Sequence, residues 1–271
     1  MRDYSFLENK ARELRISTLE MIEEAGSGHI GGSFSIAELI TALFYDKMDL
    51  KEGIYDTERD RFILSKGHAN PILYSVLIDK GFVEEKERHN LRRLNSPLQG
   101  HPDSSKCPAL DCSTGSLGQG LSVAVGMALG LKKENRNGKV YVIVGDGELQ
   151  EGICWEALMF ASSHNLDNLT VIVDRNSLQL SAPTEETNGL DDLEAKMKSF
   201  NLSTYSINGH DYREIFSALD KEAAGKPKCI IAHTIKGKGV SFMENSVKWH
   251  GAMPTEEEAE KAFSELGGRH V

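Results

Sequence analysis

Two stretches of almost unbroken apolar residues lie in the middle of the chain. They are 139–144 (KVYVIV) and 169–173 (LTVIV), and the segment 152–164 between them has the length and composition of a helix. Continuous apolar runs of this length are typical of strands that are buried on both faces, as in parallel sheets. The order strand, helix, strand therefore predicts an α/β fold, with a parallel twisted sheet and helices on both of its faces.

The flanking sequence extends this pattern towards both ends. Apolar residues at steps of three and four predict a helix over 6–25, and a second helix is predicted from Ser35, its N-cap, with Glu38 as the capping-box partner. No linker or internal repeat divides the chain, so we predict a single domain over 1–271, with a charged surface tail from about 253. Further strands are predicted at 61–65, 204–207 and 229–233, and further helices at 84–94 and 211–224, the last with Asp211 as its N-cap.

Composition argues against several classes of protein. The chain carries 31 Lys and Arg against 41 Asp and Glu, a net charge of −10, with no dense basic cluster, so we expect no nucleic-acid binding. No apolar run reaches the ~18 residues of a membrane span, and the N-terminus lacks the apolar segment of a secretory signal. The four cysteines show no CxxC spacing, which indicates reduced thiols and a cytoplasmic protein; a metal site at Cys107 and Cys112 is the weaker alternative, because no second ligand pair accompanies them.

Polar side chains follow the two apolar strands. The first strand ends in GDG (145–147) and the second in DRN (174–176). Because parallel strands deliver their carboxyl ends to one edge of a sheet, we expect Asp146 and Asn176 to lie close together. Carboxylate and amide oxygens are hard donors that suit Mg²⁺ or Ca²⁺, and the glycines would let a diphosphate approach the backbone. The alternative is that GDG forms only a turn.

The combination of GDG, a helix, an apolar strand and an Asn resembles the motif of thiamine-diphosphate enzymes. The pattern of that superfamily usually ends in two asparagines; Arg175 stands in place of the first, and Asn176 matches the second. The resemblance implies that thiamine diphosphate is the cofactor. It also implies that the Asp146 and Asn176 side chains and the Leu178 carbonyl bind the divalent cation, Mg²⁺ or Ca²⁺.

Six short segments resemble transketolases in particular, and their order matches that family over about residues 10–253. A pocket with several histidines suits ketol transfer, because neutral imidazole gives or takes a proton near pH 7. The chain is therefore similar to the N-terminal, thiamine-diphosphate-binding subunit of a split transketolase. The six segments are SGHIGGS (27–33), SKGHA (65–69), QGHP (99–102), STGSLGQG (113–120), GDGELQEG (145–152) and WHG (249–251).

The resemblance assigns roles to individual residues. His29 and His250 handle the hydroxyl proton of the acceptor or donor sugar, and His101 binds the donor's hydroxyls. Glu151 is assigned to a catalytic network at the subunit interface, with a carboxylate favoured by the helix N-terminus as the plainer interpretation. The residues assigned to cofactor binding are His68, which contacts the diphosphate, Gly115 and Leu117, which lie against the rings, and Ser116, Asp146, Gly147, Glu148, Asn176 and His250.

Two further features have more than one interpretation. His210, in the context NGHD, is predicted to be a turn residue before Asp211, with catalysis as the weaker alternative. Lys236 and Lys238 lie among glycines and could cradle a phosphate, but their segment lacks the pattern GxxxxGK[ST]. The resemblance makes these lysines loop charges near the cofactor or a partner.

The resemblance also implies that this chain holds only part of an active site. The family needs a second, pyrimidine-binding domain, and only about 20 residues follow Gly251. We therefore expect a partner chain, the C-terminal transketolase subunit, in an α₂β₂ assembly that moves a two-carbon ketol unit from a ketose phosphate to an aldose. The alternatives are the α subunit of a 2-oxo acid dehydrogenase, a split deoxyxylulose-phosphate synthase and a non-catalytic cofactor-binding remnant. The sequence selects neither the sugars nor the physiological metal.

Overall fold

Five parallel strands form one sheet in the computed structural model, which describes residues 2–269. The predicted α/β fold with a parallel sheet is therefore confirmed. The strands are β1 (Arg61–Leu64), β2 (Val140–Gly145), β3 (Leu169–Arg175), β4 (Ser203–Asn208) and β5 (Lys228–His233), and they lie across the sheet in the order β1-β2-β3-β5-β4.

Helices cover both faces of this sheet, as the apolar strands predict. Along β2, Tyr141 and Ile143 pack into one buried apolar cluster, whereas Val142 and Val144 pack into another on the opposite face. The α-helices are α1 (Tyr4–Ala25), α2 (Ile30–Phe34), α3 (Ala37–Ala42), α4 (Asn70–Asp79), α5 (Gln119–Lys133), α6 (Gly152–Ser163), α7 (Thr184–Asn188), α8 (Leu193–Ser199), α9 (Tyr212–Leu219) and α10 (Glu256–Leu266). The first cluster includes α1 to α4, α9 and α10, and the second includes α5, α6 and α8.

The predicted helix start at Ser35 is wrong. Ser35 lies between two short helices, α2 and α3, and its hydroxyl donates to the Asp174 carboxylate at 2.7 Å and lies 3.1 Å from the Gly32 carbonyl. Glu38 is buried in an ion pair with Arg15 instead of forming a capping box. Tertiary partners therefore override the local capping signal.

Other predicted helices are present with shorter bounds. The segment 84–94 contains only a 3₁₀ helix, Glu85–Asn90, and α9 ends at Leu219 rather than at residue 224. Asp211 is the N-cap of α9, as predicted, and accepts from the Arg213 backbone N–H at 2.8 Å. The charged tail forms α10, one face of which is buried in the same apolar cluster as α1. The ends of the predicted domain, Met1, His270 and Val271, lie outside the described residues.

The register of the strands places the predicted chemistry at one edge of the sheet. Gly145 at the end of β2 is level with Asp174 on β3, and Asp174 is level with Ala232 on β5. The residues that follow these positions therefore emerge side by side. Two negative findings hold for residues 2–269: the four cysteines make no disulfide, and no helix is long and apolar enough to cross a membrane.

Candidate active site

A pocket of about 300 Å³ opens at the carboxyl edge of the sheet. It lies where the chain leaves β2 and β3, the position at which open parallel sheets bind ligands. Polar and charged side chains predominate among the residues that line it. They include Lys66, His68, Asp146, Asn176, Lys236 and His250.

The predicted metal ligands meet at a tight turn after β3. The Asp146 carboxylate accepts from the Ser177 backbone N–H at 2.6 Å, and the Asn176 Oδ1 accepts from the Leu178 N–H at 3.1 Å. Ser177 takes a left-handed backbone conformation, with φ of 63°, which folds the turn back towards β2. The structure thus brings together the carboxylate of Asp146, the amide of Asn176 and the backbone of Leu178.

These oxygens fit a hard divalent cation. Among residues 2–269 no group of three or more His, Cys, Asp or Glu side chains is arranged to hold a metal, so any cation here would rely on one carboxylate, one amide and a carbonyl. That donor set is typical of Mg²⁺ or Ca²⁺ rather than zinc. The Leu178 carbonyl already faces positive charge, because it accepts from the Lys236 ammonium at 3.1 Å.

Arg175, which replaces the first Asn of the motif, places a positively charged side chain beside Asp146. Its guanidinium lies 3.3 Å from the Asp146 carboxylate and also contacts Glu185. Burial raises the pKa of Asp146, as does the Asp174 carboxylate, while Arg175 acts in the opposite direction. The net shift is upwards, so a bound cation would stabilise the ionised form of this carboxyl group.

Asp174 and Lys66 form a buried ion pair under the pocket, which the sequence alone did not reveal. Their side chains are 0% and 2% exposed, and Lys66 Nζ lies 2.5 Å from Asp174 Oδ2. The same carboxylate accepts from Ser35, from the Thr234 hydroxyl and from Asn176 Nδ2 at 2.9 Å. Burial alone would raise the pKa of Asp174, but Lys66 and these hydrogen bonds lower it overall. The pair therefore fixes the orientation of the Asn176 amide, with Oδ1 turned away from Asp174.

Three of the predicted histidines form one cluster at the pocket. The ring centroids lie 5.3 Å apart for His29 and His68, 5.1 Å for His68 and His250, and 5.5 Å for His29 and His250. Burial, followed by nearby cations, lowers the pKa of His29 to about 4 and that of His250 to about 3, and it lowers the pKa of His68 well below its ordinary value. All three rings are therefore neutral imidazoles at pH 7.

His101 lies apart from this cluster, beside Gly115. Its ring packs against Gly115, where an added Cβ would lie 3.1 Å from the ring and φ is +147°. His101 is itself exposed, although burial and then Arg92 lower its pKa. Residues 115–117, which are predicted to bind the cofactor, form a loop. Its first residue, Gly115, thus lies against the histidine that is predicted to bind sugar hydroxyls.

The next residues of that loop stand at the surface. Ser116 and Leu117 are exposed, and Leu117 lines the pocket, as does Glu151 at the N-terminus of α6. The Glu151 side chain makes no hydrogen bond that caps α6.

Glu148 connects two loops of the pocket. Its carboxylate, 3% exposed, accepts from the Ser65 hydroxyl at 2.5 Å, the Gly118 N–H at 2.8 Å and the Gly145 N–H at 3.0 Å. Burial raises the pKa of Glu148 in spite of these donors. Its partner Gly118 has φ of +82°, and an added Cβ would lie 2.5 Å from Ile153. Glu148 therefore holds the loop at Gly118 against the end of β2, next to the predicted cofactor residue Gly147.

Lys236 reaches further into the site than the sequence indicates. It is 2% exposed, and its ammonium donates to the carbonyls of Leu178 and Gln179 and, at 2.8 Å, to His250 Nδ1. In the part of the chain that the structure describes, it has no carboxylate within ion-pair distance, and burial lowers its pKa to about 8. An anion in the pocket would supply the missing opposite charge. Lys238, by contrast, pairs with Glu244.

His210 occupies the turn before Asp211, as predicted, and also supports the Lys236 loop. Its Nδ1 lies 2.8 Å from the Glu38 carboxylate, and its Nε2 accepts from the Ile235 backbone N–H at 2.8 Å. Arg15 binds the same carboxylate through two nitrogens, at 2.8 and 2.7 Å. The motif NGHD does not predict these contacts, because Glu38 and Ile235 are distant in the sequence.

Comparisons with known proteins give a consistent result. The family model described as "Transketolase, thiamine diphosphate binding domain" matches residues 7–270. A 6-deoxy-6-sulfo-D-fructose transketolase subunit, SqwG, from a Clostridium species is 43% identical over 96% of both chains. An apulose-4-phosphate transketolase subunit from Phocaeicola vulgatus is 40% identical over 97% of this chain and 94% of its own.

Longer transketolases match over less than half of their length. Human transketolase is 40% identical over 96% of this chain and 42% of its own. The crystal structure of transketolase from Campylobacter jejuni superposes with a TM-score of 0.92 at 33% identity, over 99% of this chain and 44% of that one.

Proposed function

The chain belongs to the transketolase family through its thiamine diphosphate binding domain, and on this premise we propose that it is the cofactor-binding subunit of a two-chain transketolase. The reaction is transfer of a two-carbon ketol unit from an anionic ketose to an aldose. The observation that carries the proposal is the convergence of Asp146, Asn176, His68 and His250 on one pocket, with His29 against both of these histidines.

The residues present fit thiamine diphosphate and its cation. Asp146, Asn176 and the Leu178 carbonyl would hold Mg²⁺ or Ca²⁺, and His68, Gly147 and Lys236 lie where the diphosphate would be bound. When bound, the cofactor supplies the electron sink for carbon–carbon cleavage. The other predicted cofactor residues, Gly115, Ser116 and Leu117, would lie against its rings, while Glu148 holds their loop in place.

The histidines of this chain would bind and orient the sugar. His29 and His250 are neutral at pH 7 and can donate hydrogen bonds to a carbonyl or hydroxyl oxygen. His101 is exposed beside Gly115, where a second part of the sugar could reach it. Glu151 lies at the mouth of the pocket and at the start of α6, the position proposed for a network between subunits.

A partner chain would complete the site. The two named subunit relatives match this chain over nearly their whole length, whereas human transketolase extends far beyond the matched part. An apolar surface suits such a partner: Met159 on α6 is 58% exposed, Phe160 42%, and Val123 on the adjacent α5 38%. We assign this surface to subunit contacts in an α₂β₂ assembly. The free thiols suit a reducing compartment, so we place the protein in the cytoplasm.

The proposed cation site is tested by cofactor binding. Titration calorimetry of the full chain, alone and with its partner, would measure thiamine diphosphate binding with Mg²⁺ and with a chelator. Asp146→Ala should weaken binding by more than about 100-fold, because it removes the only carboxylate ligand. Asp167→Ala is the control, because Asp167 is an exposed residue that precedes β3, at the opposite edge of the sheet. Equal affinity for Asp146→Ala and the parent chain would refute the cation site.

The proposed reaction is tested by ketol transfer. The chain alone should be inactive. The co-expressed pair should transfer ketol units between sugars, with sulfonated ketoses, branched ketose phosphates and ordinary ketose phosphates tested as donors. Full activity of the chain alone would contradict the partner proposal. Cofactor binding without turnover by the pair, with every donor, would instead support the non-catalytic alternative.

A further inference from the structure

A guanidinium group contacts one of the clustered histidines directly. Arg92 Nη2 lies 3.2 Å from His29 Nδ1 and 3.4 Å from the Gly100 carbonyl. An arginine side chain donates hydrogen bonds and cannot accept them, and it stays charged in proteins. His29 Nδ1 must therefore be the acceptor, and the ring proton must be on Nε2.

The backbone around Arg92 is shaped to hold this contact. Arg92 has φ of +60°, a left-handed conformation that is uncommon for a long side chain, and its N–H donates to the Leu98 carbonyl at 2.7 Å. Strained backbone of this kind occurs preferentially at functional sites.

Arg92 also lacks the partners of a structural ion pair. Within residues 2–269 no carboxylate lies within ion-pair distance of its guanidinium, and its Nε is buried without a hydrogen-bond partner. The neighbouring Arg93 does pair with Glu24. The contact with His29 is therefore the main directed interaction of the Arg92 head group besides the Gly100 carbonyl.

We propose that Arg92 is a positioning residue that locks His29 in the neutral Nε2–H tautomer, so that His29 serves the site as a hydrogen-bond donor and not as a base. Nε2 is on the side of the ring that faces the WHG segment, where an added Cβ at Gly251 would lie 3.8 Å from it. A substrate oxygen approaching from that side would meet an N–H group. The role of His29 as a hydrogen-bond donor to a substrate rests on the proposed function, but the assignment of its tautomer does not.

The surroundings of His29 also disfavour a second proton on its ring. His68 and His250 face its ring from two separate 3₁₀ turns, Gly67–Ala69 and Val247–His250, and His101 and Lys236 lie nearby. Burial, then Arg92, His101 and Lys236, lowers the pKa of His29 to about 4. A second proton is therefore not taken up between about pH 5 and 8, and the lock persists over the physiological range.

Imidazole nitrogen spectra of the full chain would test the lock without any cofactor or substrate. With ¹⁵N-labelled histidine, the His29 signals, assigned by their loss in His29→Gln, should show a protonated Nε2 and an unprotonated Nδ1, unchanged between about pH 5 and 8. An Nδ1–H tautomer, or titration near pH 6.5 in the parent chain, would overturn the proposal. This measurement is decisive even if no Arg92 variant folds.

A pair of variants extends the test. Arg92→Met should release the ring, so that both tautomers appear and the pKa of His29 rises from about 4 towards its ordinary value of 6.5. Arg93→Met, next along the chain and exposed, should leave the His29 spectrum unchanged. A His29 spectrum of Arg92→Met identical to that of the parent chain would show that Arg92 does not set the tautomer. A locked tautomer in a chain that fails to bind thiamine diphosphate would refute only the proposed function.

Discussion

At the scale of single residues, the orientation of one amide determines what the pocket can bind. Asn176 Nδ2 donates to the Asp174 carboxylate at 2.9 Å, so Oδ1 is the atom left to face the turn and any cation. Asp174 is held ionised by Lys66, which is equally buried. The amide therefore cannot rotate without placing an oxygen against a buried carboxylate.

Replacing Asn176 by Asp should be harmful although it keeps an oxygen ligand. The new carboxylate would place a second negative charge about where Nδ2 now meets Asp174, and we expect a loss of about 1–3 kcal/mol in the free energy of unfolding together with weaker cofactor binding. Urea denaturation of the chain, with and without Mg²⁺ and thiamine diphosphate, measures both effects. Asn188→Asp, at an exposed position, is the matched control. Equal stability of Asn176→Asp and this control would contradict the argument.

Sequence reasoning at this scale identified Asp146, Asn176 and the histidines, because each follows a strand or lies in a motif. It did not identify Lys66, Asp174 or Arg92 as members of the site. Lys66 is adjacent to a motif histidine and Asp174 lies within a motif, but their importance comes from each other, across distant segments. Pairings of that kind depend on the sheet order, which local patterns do not specify.

At the scale of elements, one buried ion cluster joins four segments. Arg15 on α1, Glu38 on α3, His210 before α9 and the Ile235 backbone after β5 are linked through the Glu38 carboxylate and the His210 ring. Burial alone would raise the pKa of Glu38, but Arg15 and His210 outweigh it and lower the pKa to about 2. The cluster fixes α3 to the loop that carries Lys236.

This cluster predicts a specific dependence of stability on pH. Because the folded pKa of Glu38 is about 2 and the ordinary value is 4.5, its stabilisation is present above pH 4.5 and is lost as the pH falls towards 2. The full effect is about 3 kcal/mol. Urea midpoints measured from neutral pH to about pH 2.5 should fall less steeply for Glu38→Gln than for the parent chain.

A surface glutamate provides the control for that series. Glu194→Gln changes a partly exposed residue at the start of α8, which pairs with Lys198 on the same helix, so the pH profile of this variant should follow that of the parent chain. If Glu38→Gln and Glu194→Gln gave the same profile, the buried cluster would have no part in acid unfolding.

Helices and strands were predicted well where the apolar pattern of the sequence matched their burial. They were predicted poorly where contacts with distant segments determined the local structure. The strands β2 and β3 are buried on both faces and could be identified from their apolar runs alone. The region around Ser35 has a capping signature, yet its polar side chains are used by Asp174 and Arg15, so the helix is interrupted there. A capping motif cannot reveal a buried partner elsewhere in the chain.

At the scale of the whole molecule, large apolar side chains are exposed on α5 and α6, two helices that pack against each other. They are Val123, Met159 and Phe160, while Leu117 and Leu180 line the pocket and are 37% and 68% exposed. Exposed apolar side chains on neighbouring elements suit an interface. The sequence predicted a partner from the resemblance but could not locate this surface.

Phe160→Asp should therefore weaken association with the partner chain by about tenfold or more, because it places a charge in the contact. Analytical ultracentrifugation of the co-expressed pair measures the assembly, and circular dichroism checks that the variant is folded. Leu94→Asp is the control, because Leu94 is 92% exposed and lies outside α5 and α6. Unchanged assembly for Phe160→Asp, or equal loss for both variants, would place the interface elsewhere.

The pocket is assembled from segments at opposite ends of the chain. His29 and His250 lie 5.5 Å apart in space, yet almost the whole sequence separates them. Since a ribosome releases the N-terminus first, a nascent chain cannot complete this histidine cluster before residue 250 has been synthesised. Binding stabilises a folded chain in proportion to the logarithm of ligand concentration. Chains that fold without thiamine diphosphate would lack this stabilisation, so we expect them to be cleaved faster than the cofactor-bound chain in limited proteolysis.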